Sequence, residues 1–107
     1  MISITELRKV ALCFEGAVEQ PHIELSSFRV RNKIFATLDE KNKRVCLMLS
    51  KEEQSVFCAY DKTVMYPVPN KWGLNGATYA DLATVPKPML KDALNLAYLR
   101  ASEKKKK

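Results

Sequence analysis

Phe28-Arg-Val-Arg-Asn-Lys-Ile-Phe-Ala-Thr-Leu38, Asp39-Glu-Lys-Asn-Lys-Arg44 and Val45-Cys-Leu-Met-Leu49 are the three consecutive pieces whose reading decides the fold. Runs rich in β-branched, aromatic and aliphatic residues are separated by two polar turns, the pattern of an antiparallel meander of three strands. A two-residue turn at Asn32-Lys33 pairs Val30 with Phe35 and Phe28 with Thr37. In that register Phe28, Val30 and Phe35 share one face, and Arg29 and Arg31 share the other, beside Ile34 and Ala36. Asn32 suits the positive φ of such a turn and Lys33 suits it less, which leaves a longer turn open. The third run is apolar on both faces, which predicts a central strand.

Working outward toward the N-terminus, Ser3-Ile-Thr-Glu6 reads as a reciprocal capping box. Ile4, Leu7, Val10 or Ala11, and Phe14 then recur at helical spacing, so a helix is predicted from Ile4 to Cys13, with Gly16 as its stop. Ala17 to Ser27 is expected to be irregular. On the other side, Ser50-Lys-Glu-Glu53 is a second capping box, which opens a helix from Lys51 to Tyr60 that buries Val56, Phe57 and Tyr60. Tyr66-Pro-Val-Pro69 reads as an extended linker, followed by turn signals at Asn70-Lys-Trp-Gly73 and Asn75-Gly76. Ala77 to Leu82 is a short strand with Tyr79 in the core. Pro86 and Pro88 fit the first turn of a last helix, whose stripe is Met89, Leu90, Ala93, Leu94, Ala97, Tyr98 and Ala101.

The expected order is α-β-β-β-α-β-α. Strands grouped between helices, rather than alternating with them, indicate an α+β domain with an antiparallel sheet of about four strands. At 107 residues, 47% hydrophobic and 28% charged, the chain suits one soluble domain with its own core over residues 1–103, followed by the basic tail Lys104–Lys107. Of the net charge of +6, the tail supplies four, leaving a mildly basic body. The N-terminus shows no secretory pattern and no apolar run is long enough for a bilayer, so a cytoplasmic protein with no membrane association is expected. Cys13, Cys46 and Cys58 are odd in number and lack the close spacing of a zinc site or disulfide framework; all three are expected in the core.

Catalytic chemistry finds little support. Glu19, His22 and Glu24 bring two carboxylates near the single histidine, but a catalytic zinc generally needs three protein ligands and no second cluster exists. With three glycines there is no phosphate-cradling motif, and no nucleophile elbow accompanies His22. The expectation is a non-enzymatic domain with no cofactor and no metal. Its most distinctive feature is basic: Arg29, Arg31 and Lys33 on one hairpin, and Lys41, Lys43 and Arg44 at the next turn, two adjacent tips that would act as phosphate-contacting wings. Such residues also protect sheet edges from pairing with other chains. Trp72, beside Lys71, reads either as a stacking platform or as a lid over the core edge.

Taken together, Glu19-Gln-Pro-His22, Phe28 to Leu38, Asn70-Lys-Trp-Gly73 with Gly76, and Lys87-Pro-Met-Leu-Lys-Asp-Ala-Leu94 resemble the MmcQ/YjbR family of small bacterial proteins. The resemblance covers nearly the whole chain and implies a frataxin-like sheet with helices packed on it. It also implies DNA binding, a label the family carries from the shape of its paired hairpin wings. Many relatives place a lysine near Met48 that this chain lacks, and the first helix lacks the acidic ridge that iron binding by frataxin-like folds would need. Two functions are therefore expected. The first is weak, phosphate-mediated DNA binding through Arg29, Arg31, Lys33, Lys43, Arg44, Lys71 and Trp72. The second is a module for a protein partner or small ligand, built on Tyr66 to Gly76 and the open face of the sheet.

Overall fold

The computed structural model describes residues 2–22, 25–69 and 71–102, the side chain of His22 excepted. Glu24, Asn70 and the tail Lys104–Lys107 lie outside the described residues. The elements run α1 (Ile4–Leu12), β1 (Val18–His22), β2 (Leu25–Val30), β3 (Lys33–Asp39), β4 (Arg44–Met48), α2 (Lys51–Tyr60), β5 (Met65–Pro67), α3 (Lys71–Leu74), β6 (Ala77–Asp81) and α4 (Lys87–Ser102). The class is α+β, as the sequence predicts, but the sheet has six strands rather than about four, ordered β1-β2-β3-β4-β6-β5 and antiparallel throughout.

Both extra strands are edges, and both carry proline. Val18–His22, expected to be irregular, pairs with β2, with Pro21 opposite Ser26. Pro67 sits at the end of β5 on the opposite edge. A proline lacks the N–H of a ladder bond, so a strand bearing one is confined to an edge, where one side needs no partner. The third run of the meander lies between β3 and β6, the central place its two apolar faces predict.

The β2–β3 hairpin turns one residue earlier than expected. Arg31 (φ 54°) and Asn32 (φ 66°) form the tip, and Val30 pairs with Lys33. A register shift beyond Arg29 leaves Phe35 unpaired, so that Phe28 lies opposite Ala36 rather than Thr37. This bulge explains how Phe28, Val30 and Phe35 are all buried although their spacing does not follow a regular ladder. Ala36 joins the core face instead of the arginine face.

One face of the sheet is packed solid. Phe28, Ala36, Leu38, Val45, Leu47 and Ala80 form a core with Leu7 and Ala11 of α1 and Leu90, Ala93, Leu94 and Ala97 of α4. The last helix lies chiefly over β3 and buries the predicted stripe, with Met89 and Tyr98 partly buried. Phe14 stacks on Tyr98 at 4.7 Å, and both rings meet the edge or face of Phe35 at 6.1 and 5.6 Å. These contacts fasten the end of α1 and α4 to the bulge. Cys13, expected in the core, is exposed because it caps α1 beyond the Leu7–Ala11 stripe.

Helix caps follow the sequence, with one difference. Ser50 and Glu53 form the full reciprocal box of α2. At α1 the Ser3 hydroxyl accepts the Glu6 amide, but the Glu6 carboxylate receives Lys87 from α4 instead of turning back. The inward face of α2 is Gln54, Phe57 and Cys58; Val56 and Tyr60, expected to be buried, point outward. Gln54 decides this rotation, since its Nε2 donates to the carbonyls of Gly73 and Ala77 at 2.9 and 3.0 Å. Among the described residues, no helix is long and apolar enough to cross a membrane.

Candidate nucleic-acid interface

A meander puts successive turns at opposite ends of its strands, and that parity divides the predicted site. One end of the sheet carries the Arg31-Asn32 tip, the end of β4 at Met48 and the start of β6 at Ala77, which pair with each other. The other end carries the 40–43 turn and Asp81, which pairs with Arg44. With seven residues in β3, the two tips lie about 23 Å apart at the usual strand rise. They are not the adjacent wings expected from the sequence.

The two ends also differ electrostatically. At the 40–43 end, acids answer the arginines, while Lys41 and Lys43 are exposed and form no ion pair among the described residues. Arg44 Nε lies 3.5 Å from Asp39 Oδ2, while Arg8 pairs with both Glu19 and Glu40. The Arg44 guanidinium sits 3.9 Å over the Tyr79 ring, which in turn contacts Tyr66 at 5.7 Å. Burial opposes the Arg44 charge, but Tyr66, Tyr79 and Asp39 outweigh it and hold its pKa above the ordinary arginine value. Asn42 and Arg44 likewise hold the Asp39 carboxyl below its usual range against the effect of burial. Arg44 is thus a fastening of the sheet. Lys43 stands exposed in the turn at φ 53°, next to this acid-rich group. Tyr79, expected in the core, belongs to the helix-free face with Arg44 and Cys46.

At the Arg31 end, by contrast, Arg31, Lys33, Lys71 and Arg100 are exposed, and none forms an ion pair among the described residues. Arg29 lies just behind the tip on the helix-free face, half-buried, its Nε donating to Ser27 Oγ at 3.0 Å. Two strand spacings, about 10 Å, separate the tip from the β4–β6 pair beside Lys71 and Trp72. Sequence reading supplies Arg31, Lys33, Lys71 and Trp72 but misses Arg100. Nothing in its spacing distinguishes it from any other polar residue in the last turn of a helix; only the fold brings it to Lys71.

Trp72 is 57% exposed, not a lid over the core. It lines a cleft of about 430 Å³ with Met48, Leu49, Lys71, Asn75, Ala77 and Arg100. Two glycines hold this wall in place. A Cβ on Gly73 would lie 1.7 Å from the Val68 carbonyl oxygen, and one on Gly76, at φ +116°, would lie 2.0 Å from that of Leu49. The Lys71-Trp-Gly73 turn therefore seats directly on the backbone of the preceding segment, and Gln54 grips its carbonyl. Glu19, one of the residues weighed for acid–base or metal chemistry, is engaged by Arg8; the side chain of His22 and Glu24 are outside the described residues.

A family model described as YjbR matches residues 12–100, from the end of α1 through nearly all of α4. The chain belongs to the YjbR family. The crystal structure of Deinococcus radiodurans protein DR2400, with its DUF419 domain, superposes on this YjbR chain with a TM-score of 0.80 at 21% identity. That match covers 97% of this chain and 81% of the other. At such identity the likeness speaks of a shared fold, and a fold does not carry a function with it. None of the curated proteins matches the chain.

Proposed function

We propose that this YjbR domain is a non-enzymatic nucleic-acid-binding protein whose contact surface is the Arg31 end of the sheet. The observation that carries the reading is electrostatic: among the described residues Arg31, Lys33, Lys71 and Arg100 stand exposed on one rim and form no ion pair, whereas Arg8 and Arg44 are bound to carboxylates and the exposed Lys41 and Lys43 sit beside that acid-rich group. Exposed cations on one rim, without a specific carboxylate partner, suit a polyanion whose charges are spread along a backbone. Lys43 and Arg44 fall outside this surface, and Arg29 flanks it.

The test is DNA binding followed by fluorescence anisotropy across a salt series, with the full chain and with Lys104, Lys105, Lys106 and Lys107 all replaced by serine. Binding that survives these replacements and falls steeply with salt supports the surface on the folded body; binding that disappears with the lysines overturns it. A second reading rests on a separate observation. Leu74 is 75% exposed beside a groove formed by Pro67, Val68 and Pro69, and this apolar surface suits a protein partner.

A further inference from the structure

We infer that the Trp72 cleft makes this surface selective for unpaired nucleotides, a base stacking on the indole while its phosphates lie against Lys71 and Arg100. The inference rests on the nucleic-acid reading above and adds to it the class of strand. Three features of the cleft carry it. Its volume of about 430 Å³ suits a single nucleotide. Its lining joins an indole and the Met48 thioether, apolar surfaces for a base, with the Asn75 amide, which offers a donor and an acceptor to a base edge. The cations Lys71 and Arg100 line the same cleft as the indole, as a strand whose phosphates alternate with its bases requires.

A duplex cannot use this arrangement. Its bases are stacked on one another, so it presents base edges in its grooves and phosphates outside, and has no free ring face for an indole. Nor does the cleft offer a recognition helix for a groove, since α3 is only four residues long. The indole is also placed in advance. Gly73 and Gly76 rest on backbone carbonyls and Gln54 clamps the turn, so little ordering remains to oppose binding. From Trp72, the strand has a continuing path of about 10 Å across the strand ends to Lys33 and Arg31.

Trp72 is the only tryptophan in the chain, so emission excited selectively at the indole, beyond the tyrosine absorption band, reports on this cleft alone. The full chain would be titrated at low salt with oligo(dT), with oligo(U), and with an oligo(dT)–oligo(dA) duplex, following emission and anisotropy together. Single strands of both sugars are expected to quench Trp72 and to bind on the order of tenfold more tightly than the duplex. Trp72→Ala should weaken single-strand binding by on the order of tenfold and leave duplex binding nearly unchanged. Lys71→Gln should reduce the salt slope by about 0.7, the share of one single-strand phosphate contact. Duplex binding as tight as single-strand binding, or single-strand binding without a Trp72 response, overturns this inference while leaving the nucleic-acid reading in place. Failure of every oligonucleotide to bind overturns both.

Discussion

The three thiols of this chain meet three environments. Cys13 ends α1 in the open, Cys46 is half-buried on the helix-free face opposite Thr37 and Tyr79, and Cys58 is buried on the inward face of α2. Burial pushes the Cys46 thiol up to about 11 and raises Cys58 as well. Because the thiolate is the attacking species, Ellman's reagent at about pH 8 should find one fast thiol in the native protein. The other two should appear only on unfolding, and Cys13→Ser should abolish the fast phase; a fast phase persisting in that variant would contradict the assignment. The same shift sets a pH dependence. Unfolding returns Cys46 toward its ordinary value of 9.0, so its contribution to stability is whole below that value. It is lost between about 9 and 11, where only the unfolded chain ionises. The sequence makes all three cysteines look alike, since each sits in or beside an apolar run. What separates them is rotation about a helix axis and position on a sheet face, which short patterns do not encode.

Elements were legible where local chemistry and packing agree. The Ser50–Glu53 box opens α2, and the stripe from Leu90 to Ala101 lies on the core. Legibility fails where long-range contacts overrule the pattern. Val18–His22 and Met65–Pro67 have prolines that argue against strands, and only their places at the two edges make them permissible. The rotation of α2 follows from two carbonyls, of Gly73 and Ala77, that Gln54 must satisfy from 19 and 23 residues away. The β2–β3 tip is a third case, because the Asn32 signal is real but Arg31 takes the first left-handed position, where glycine or asparagine would be more comfortable. Arg31→Gly should therefore relieve strain and raise stability by about 0.5–1 kcal/mol in chemical denaturation. The same substitution should weaken oligonucleotide binding. An Arg31→Gly protein that is less stable than the parent would mean that the arginine side chain holds the hairpin together and that its conformation is not strained.

At the scale of the molecule, the fold converts a dispersed set of cations into two unlike ends. From sequence, Arg29, Arg31, Lys33, Lys43 and Arg44 look like one basic hairpin system, because they fall within a single short meander. The alternation of turns separates Arg31 from Lys43 by the length of β3, and the return of α4 brings in Arg100 from the far end of the chain. Paired reversals give the division a direct test. Arg31→Glu with Lys71→Glu alters the end that holds the Trp72 cleft, and Lys41→Glu with Lys43→Glu alters the other; each pair changes net charge by the same amount. If long-range attraction to total charge governed binding, the two double variants would weaken it equally. A local surface at the Arg31 end instead predicts a loss on the order of tenfold or more, with a shallower salt dependence, for the first pair. The second should differ from the parent only by the modest, salt-screened effect of overall charge. All four residues are exposed, so thermal melts of both variants should stay close to the parent and any difference in binding reports the surface itself. Equal losses from the two pairs would remove the case for a built surface and leave nonspecific attraction to a basic chain. An unequal loss in the predicted direction would tie binding to one end of this sheet, where the Trp72 cleft and the exposed cations of the Arg31 rim coincide.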